Sequence, residues 1–273
     1  MRAVVRPVAH APALVVRAGR GGASLLILAD LHLGLAATPA APGGPPGASG
    51  PDLAEAVLRA CRDARARRLV IAGDVKHPIV GAPHGLRPVI FDFFGTLLSE
   101  GIAPEVVLGN HDGGLARHLP REVEVHGPEG IVREGVGIFH GHRWPSREVL
   151  ASRTLVAGHL HPGYRLAPTG DAPEGKRRCW VRVRFEVSPA PPRARGFRGG
   201  ARELIVLPAF HPLAGVEALN RERPERGRSF LYARFLSLGV ARAYLLDGTD
   251  LGALVTRGPA GPPGSLRRAP PAR

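Results

Sequence analysis

Five short apolar runs in this chain each end in a small cluster of polar residues, and that repetition limits the fold more than any other feature. Ser24 to Ala29 runs into Asp30-Leu31-His32, Arg68 to Ala72 into Gly73-Asp74, and Glu105 to Leu108 into Gly109-Asn110-His111-Asp112. Val136 to Phe139 ends in His140-Gly141-His142, and Leu155 to Ala157 in Gly158-His159-Leu160-His161. Apolar runs this short, bounded by turn residues, read as buried strands. Two helices lie between the first three. One is capped by Asp52 and runs to about Arg67, with Leu53, Val57, Leu58 and Cys61 at helical spacing; the other covers Leu86 to Glu100. Strand, helix, strand, helix, strand predicts an α/β fold with sheets inside and helices outside. In such folds the carboxyl ends of the strands share one rim, where ligands bind.

Ala13 to Val16 is a further strand, set off from Ser24 by the Gly-rich turn Gly19 to Gly22, and Ala37 to Pro51 is a Pro/Gly/Ala loop. Downstream the chain reads as irregular from Tyr164 to Arg202, an Arg/Pro-rich insert over about 165–202, although Trp180 to Val187 alternates like a strand. Glu203 to Leu207 is a buried strand. Val240 to Leu246 and Leu254 to Thr256 flank Asp247-Gly248-Thr249-Asp250, a hairpin turn. The expectation is one domain over 1–257 and a disordered basic tail over 258–273, with no internal repeat.

Composition narrows the setting. No run approaches the roughly 18 apolar residues of a membrane span, and Arg2, Arg6, His10 and Arg17 break up any signal-like apolar stretch. Cys61 and Cys179 form no metal or disulfide pattern. A cytoplasmic protein without membrane contact is expected. The net charge of +14 suits a polyanionic partner such as nucleic acid. Yet Lys76 and Lys176 are the only lysines, and an Arg, Ala, Gly and Pro bias of this kind also marks a GC-rich genome. Charge leaves both explanations open.

The polar clusters suit divalent cations that favour mixtures of imidazole and carboxylate. In Asp-x-His and His-x-His the period of two puts both side chains on one side of an extended segment. Singly, each motif has an ordinary structural explanation; five in this order, each behind a strand, do not. Ile90 to Leu97 mimics a motif whose Asp acts as a nucleophile in another hydrolase class. It falls where a helix is expected, and packing of its aromatics on a sheet explains it more simply.

Asp30-x-His32, Gly73-Asp74, Gly109-Asn110-His111-Asp112, His140-Gly141 and Gly158-His159-x-His161 together resemble the calcineurin-like metallophosphoesterase superfamily, over roughly residues 24–163. The resemblance implies an α/β four-layer sandwich, two mixed β-sheets flanked by helices, and two divalent metal ions, manganese first with iron or zinc as alternatives. It places Asp30, His32, Asp74 and His161 on one metal, and Asp74, Asn110, His140 and His159 on the other, with Asp74 shared. His111 would stabilise or protonate the leaving oxygen, with Asp112 or His77 orienting its ring. Asn110 would also donate to the phosphate, Lys76 would meet it, and His142 would stand beside the ligands or the substrate.

Asp30-Leu31-His32-Leu33-Gly34, Gly73-Asp74-Val75-Lys76-His77 and Leu207 to Gly215 look like the archaeal and bacterial branch containing the ligase-associated DNA damage response endonuclease, although His211 stands where that branch usually carries Asn. That resemblance implies a nuclease or phosphodiesterase acting on nucleic acid, with a repair ligase or helicase as partner. Arg193 to Arg202 and Arg221 to Arg228 would contact backbone phosphates. The alternative is a small-molecule phosphodiesterase or phosphatase acting on nucleotides or cyclic nucleotides. A scaffold without activity fits less well, because every expected ligand position is filled.

Overall fold

Alternating burial along the strands sorts this chain into layers. The computed structural model describes residues 3–17, 19, 24–35, 50–166, 175–187, 200–220, 240–254 and 266–267. The first sheet holds β1 (Val4–Pro7), β2 (Leu14–Arg17), β3 (Ser24–Leu28), β4 (Ala66–Ala72), β5 (Ala103–Val107) and β6 (Glu124–His126), side by side in that order. β1 to β3 are antiparallel. β3 to β6 are parallel, with α1 (Gly50–Ala64) and α2 (Leu86–Ser99) crossing over between β3 and β4 and between β4 and β5.

The second sheet follows with β7 (Ile131–Arg133), β8 (Val136–Phe139), α3 (Arg147–Ala151), β9 (Thr154–Ala157), β10 (Pro162–Leu166), β11 (Gly175–Val187), β12 (Gly200–Val206) and β13 (Glu217–Ala218). Its order is β13-β10-β11-β12-β9-β8-β7, and the hairpin of β14 (Val240–Leu245) and β15 (Asp250–Ala253) pairs with β11. β8, β9 and β12 are mutually parallel.

The period of two divides each strand between two cores. Leu26, Leu28, Leu69, Ile71 and Val106 face Leu53, Val57, Phe93, Phe94 and Leu97 of the helices. Their neighbours Leu25, Ile27, Val70 and Val107 meet Val136, Ile138, Val156 and Ile205 of the other sheet. The outer face of the second sheet buries Phe139, Leu155, Val181, Leu204 and Val206 beneath a thin cover that includes Val149 of α3. Each such side chain contributes about 1.5–3 kcal/mol. Paired sheets therefore hold the strand ends rigid. The result is an α/β sandwich of two mixed sheets, with its main helical layer on one side.

Several boundaries differ from the sequence expectation. α1 starts at Gly50, so Asp52 sits in its first turn rather than capping it. It stops at Ala64 because Arg65 turns left-handed (φ 53°), and Ala66 already pairs with Ser24. The supposed irregular insert takes in the end of β10, and β11 starts at Gly175, ahead of the alternation expected from Trp180. β15 begins at Asp250, earlier than Leu254, so the hairpin turn is tighter. The loop at 37–51 up to residue 49, the Arg clusters apart from residues 200–202, and the tail apart from Leu266–Arg267 lie outside the described residues; those two pair with the end of β11. No helix among the described residues is long and apolar enough to cross a membrane.

Candidate metal centre

β3, β4 and β5 of one sheet and β8, β9 and β12 of the other release the chain at the same end of the sandwich. Backbone bonds stitch these exits together: Asp30 N–H donates to the Gly73 carbonyl (3.0 Å), His32 to Asp74 (2.9 Å), Gly158 to His140 (3.0 Å) and His211 to Asp30 (3.2 Å). Asp30, His32, Asp74, His159 and His161 all have positive φ, between 42° and 73°, and make up five of the eight such non-glycine residues described. Left-handed backbone at these residue types costs free energy, and it gathers here around one point. Two glycines give the clusters room. A Cβ on Gly73, itself at φ +90°, would fall 2.3 Å from His140 Nδ1, and one on Gly109 would fall 2.2 Å from Asp74 Oδ1.

All seven expected ligands come together. The donor atoms of Asp30, His32 and His161 lie within 4.8 Å of one another, as do those of Asp74, His140 and His159. Asp74 joins the two groups, with Oδ2 3.3 Å from His140 Nε2 and 3.9 Å from His32 Nε2. Asn110 Oδ1 stands 3.2 Å from the same His140 nitrogen.

The hydrogen bonds around the rings assign which nitrogens carry lone pairs. His140 Nδ1 donates to the Ala72 carbonyl (2.8 Å), and His161 Nδ1 to that of Gly215 (3.0 Å). Each Nε2 then faces groups that accept. His161 Nε2 meets His32 Nε2 at 3.1 Å and Asp30 Oδ1 at 3.3 Å. Such a gathering is stable only with a proton or a cation at its centre, and imidazole, carboxylate and amide oxygen together are a donor set for borderline divalent metals. Orienting ring nitrogens against backbone carbonyls is also how metal-binding histidines are held. The residues fit a metal.

Charge follows the same pattern. Burial works to raise Asp30 and Asp74, but the facing imidazoles hold both below the usual carboxylate range. Burial works to lower His140, yet Asp74 beside it pushes it up to about 9, and Asp30 likewise raises His161. For His32 and His159 burial prevails, bringing each to about 4.

Around this core, His111 donates its backbone N–H to Asp74 Oδ1 (2.9 Å), and its ring lies 5.0 Å from that of His32. His142 sits 5.3 Å, ring to ring, from His140, and burial followed by the charge of His140 lowers it to about 4. Two expectations need correction. Asp112 does not orient the His111 ring: its buried carboxylate accepts from the backbone N–H groups of Gly109 (2.8 Å) and Lys76 (3.3 Å), and burial, then Asp74, raises it to about 6. The His111 Nδ1 instead contacts the backbone carbonyl of His77, whose ring stacks on it at 5.9 Å. Nor does Lys76 reach toward a phosphate, because its side chain is fully buried and its ammonium donates to backbone carbonyls. A pocket of about 200 Å³ opens on the centre, with Asp74, Asn110, His111 and His159 among the residues that line it. The carbonyls of Ala72, His77 and Gly215 were invisible in the sequence, since any residue supplies one.

No family model matches the chain, and no curated protein does. Among solved structures, the nuclease MPE of Pseudomonas putida superposes with a TM-score of 0.54 at 18% identity, covering 91% of this chain and 100% of that one. The two share a fold. YfcE, a phosphoesterase from E. coli, gives a TM-score of 0.37 at 17% identity, over 85% of this chain and 99% of its own.

Proposed function

We propose that the chain is a metal-dependent phosphoesterase using two divalent ions, and that its substrate is a nucleic-acid phosphodiester. One observation carries this reading: seven side chains from five separate strand exits turn their lone pairs on two adjoining points that share Asp74. Asp30, His32, Asp74 and His161 would hold one ion. Asp74, Asn110, His140 and His159 would hold the other, with manganese the first choice and iron or zinc suited to the same donors. Ions bound there would supply charge neutralisation at the phosphoryl oxygens and activation of a water.

The chain's own groups complete the site. With its Oδ1 turned toward His140, the Asn110 amide nitrogen is left to donate to a phosphoryl oxygen. The His111 ring, held at Nδ1 by the His77 carbonyl, has Nε2 3.8 Å from Asp74 Oδ2. In its protonated form it would hand that Nε2 proton to the leaving oxygen as the phosphorus–oxygen bond breaks. The pocket on the centre, lined by Asn110 and His111, has room for the phosphate of a nucleic-acid phosphodiester. The net charge of +14 and the fold shared with a nuclease support the same substrate class. Two buried, unpaired cysteines suit a reducing compartment, and we place the protein in the cytoplasm.

Asp74→Ala and Asn110→Ala should each abolish Mn²⁺-dependent cleavage of bis(p-nitrophenyl) phosphate without unfolding the chain. Near wild-type turnover in either variant would overturn the assignment. Binding to single- and double-stranded oligonucleotides should weaken steeply with salt, whereas an enzyme for small molecules would show no such slope.

A further inference from the structure

Lys76 is 0% exposed, and its ammonium donates not to a carboxylate but to three backbone carbonyls: Pro78 (2.5 Å), Ile79 (3.3 Å) and His111. An ammonium has three N–H donors, so all are engaged. Burial works against that charge and the nearby carboxylates of Asp112 and Asp74 favour it, yet the ammonium's hydrogen bonds go to carbonyls. What the three bonds achieve is specific. They tie the loop after β4, which carries Pro78 and Ile79, to the loop after β5, which carries His111. His77, between Lys76 and Pro78, gives its carbonyl to His111 Nδ1. His111 is thus gripped twice from one loop, at its carbonyl by the Lys76 ammonium and at its ring by the His77 carbonyl. The Lys76 backbone N–H adds a third tie by donating to Asp112 (3.3 Å), the residue next to His111.

We propose that Lys76 is a positioning residue for proton delivery to the leaving group: it locks the two loops together so that the His111 imidazole faces the departing oxygen. This rests on the phosphoesterase reading and on the role given there to His111. The Lys76 ammonium touches no metal-ligand side chain and acts through backbone carbonyls.

The test compares two phosphodiesters that differ in leaving group. A p-nitrophenolate departs without protonation, whereas the alkoxide of a dinucleotide needs a proton, and a positioned acid is worth about 10²–10⁴-fold on such a substrate. Lys76→Met keeps the bulk and removes the ammonium. Its kcat on the dinucleotide should fall at least tenfold more than its kcat on bis(p-nitrophenyl) phosphate, with little change in KM. His111→Ala should show the same split, and the double variant should be no worse than His111→Ala alone. Because both substrates are read on one preparation, a partly unfolded sample lowers both rates alike and leaves their ratio unchanged. If Lys76→Met yields no folded enzyme, Lys76→Gln, which keeps two donors on a shorter arm, is read by the same ratio. Equal losses on both substrates, or losses that add to those of His111→Ala, would overturn the role of Lys76 while leaving the enzyme assignment intact. A wild-type protein inactive on both esters in every metal would instead defeat the assignment itself.

Discussion

Gly109→Ala should disable the centre while leaving the fold standing. The φ of Gly109 lies outside the left-handed region, so the added methyl strains no backbone and acts only by contact. Its Cβ would sit 2.2 Å from Asp74 Oδ1 and 2.4 Å from the Asp74 backbone nitrogen, where ordinary contact begins near 3.4 Å. Asp74 would have to retreat by about 1.2 Å. A rotamer change cannot absorb this, because the backbone nitrogen is struck as well. Retreat also breaks the His111 N–H bond to Oδ1. A displacement of roughly 1 Å at a reacting centre costs on the order of 10²-fold in rate, or about 2.7 kcal/mol of barrier. Crowding of the core adds about 1–3 kcal/mol of destabilisation. The assay is Mn²⁺-dependent turnover of bis(p-nitrophenyl) phosphate, read beside the melting temperature and the bound metal. Gly95→Ala is the control: that glycine lies inside α2 with nothing within 4 Å of a new Cβ. It should keep full activity and gain about 0.5–1 kcal/mol in stability. A Gly109→Ala enzyme working within threefold of wild type would show that Asp74 need not stand where the structure puts it.

Three further outcomes are expected. Stripping the metals with EDTA should lower the melting temperature by roughly 5–10 °C, since one site at a hundred times its Kd adds about 2.7 kcal/mol, and differential scanning calorimetry reads this directly; an unchanged melt would count against resident ions. His140, pushed up to about 9, holds a proton at neutral pH in the metal-free chain, so Mn²⁺ must displace it. Calorimetry in buffers of different ionisation enthalpy should detect proton release, and affinity should rise with pH up to about 9. Glu105→Gln should destabilise the chain by on the order of 1–3 kcal/mol at neutral pH, because Glu105 is buried and binds Arg133 of the other sheet (2.6 Å) and His126 of the neighbouring strand β6 (3.0 Å). Burial works to raise the Glu105 carboxyl, but the hydrogen bond and charge of Arg133, then those of His126, hold it below its ordinary value. Its contribution is therefore present above the usual carboxylate range and lost as the pH falls through and below that range. Acid titrations of stability should be shallower in the variant, and a parallel curve would refute the linkage.

The centre was legible because each ligand follows an apolar strand, and a strand end fixes position more tightly than a free loop does. The order Asp30, Asp74, Asn110, His140, His159 along the chain is the order in which the two sheets present their edges. Ile90 to Leu97 behaved as an amphipathic helix should, with Phe93 and Phe94 buried and Asp92 exposed. Where legibility failed, a polar residue was doing an interior job. The start of β11, before the alternation from Trp180, was hidden because Lys176, Arg177 and Arg178 resemble a loop; Arg178 in fact donates to the carbonyls of Ala209 and Phe210. Lys76 was read as a phosphate contact, because nothing in the sequence marks its ammonium as buried. The start of α1 was obscured by Gly50-Pro51, although Pro suits the first helical turn. β1, β6 and β7 are too short, and too rich in Arg, Glu and His, to give a hydrophobic period.

The most direct measurement is an anomalous-difference map from crystals grown with Mn²⁺. Two peaks per chain should appear on either side of the Asp74 carboxylate, one among Asp30, His32 and His161 and one among Asn110, His140 and His159. A single peak away from Asp74, a peak only at the separate Glu105, Glu124 and His126 group, or no peak at all would contradict the two-ion centre.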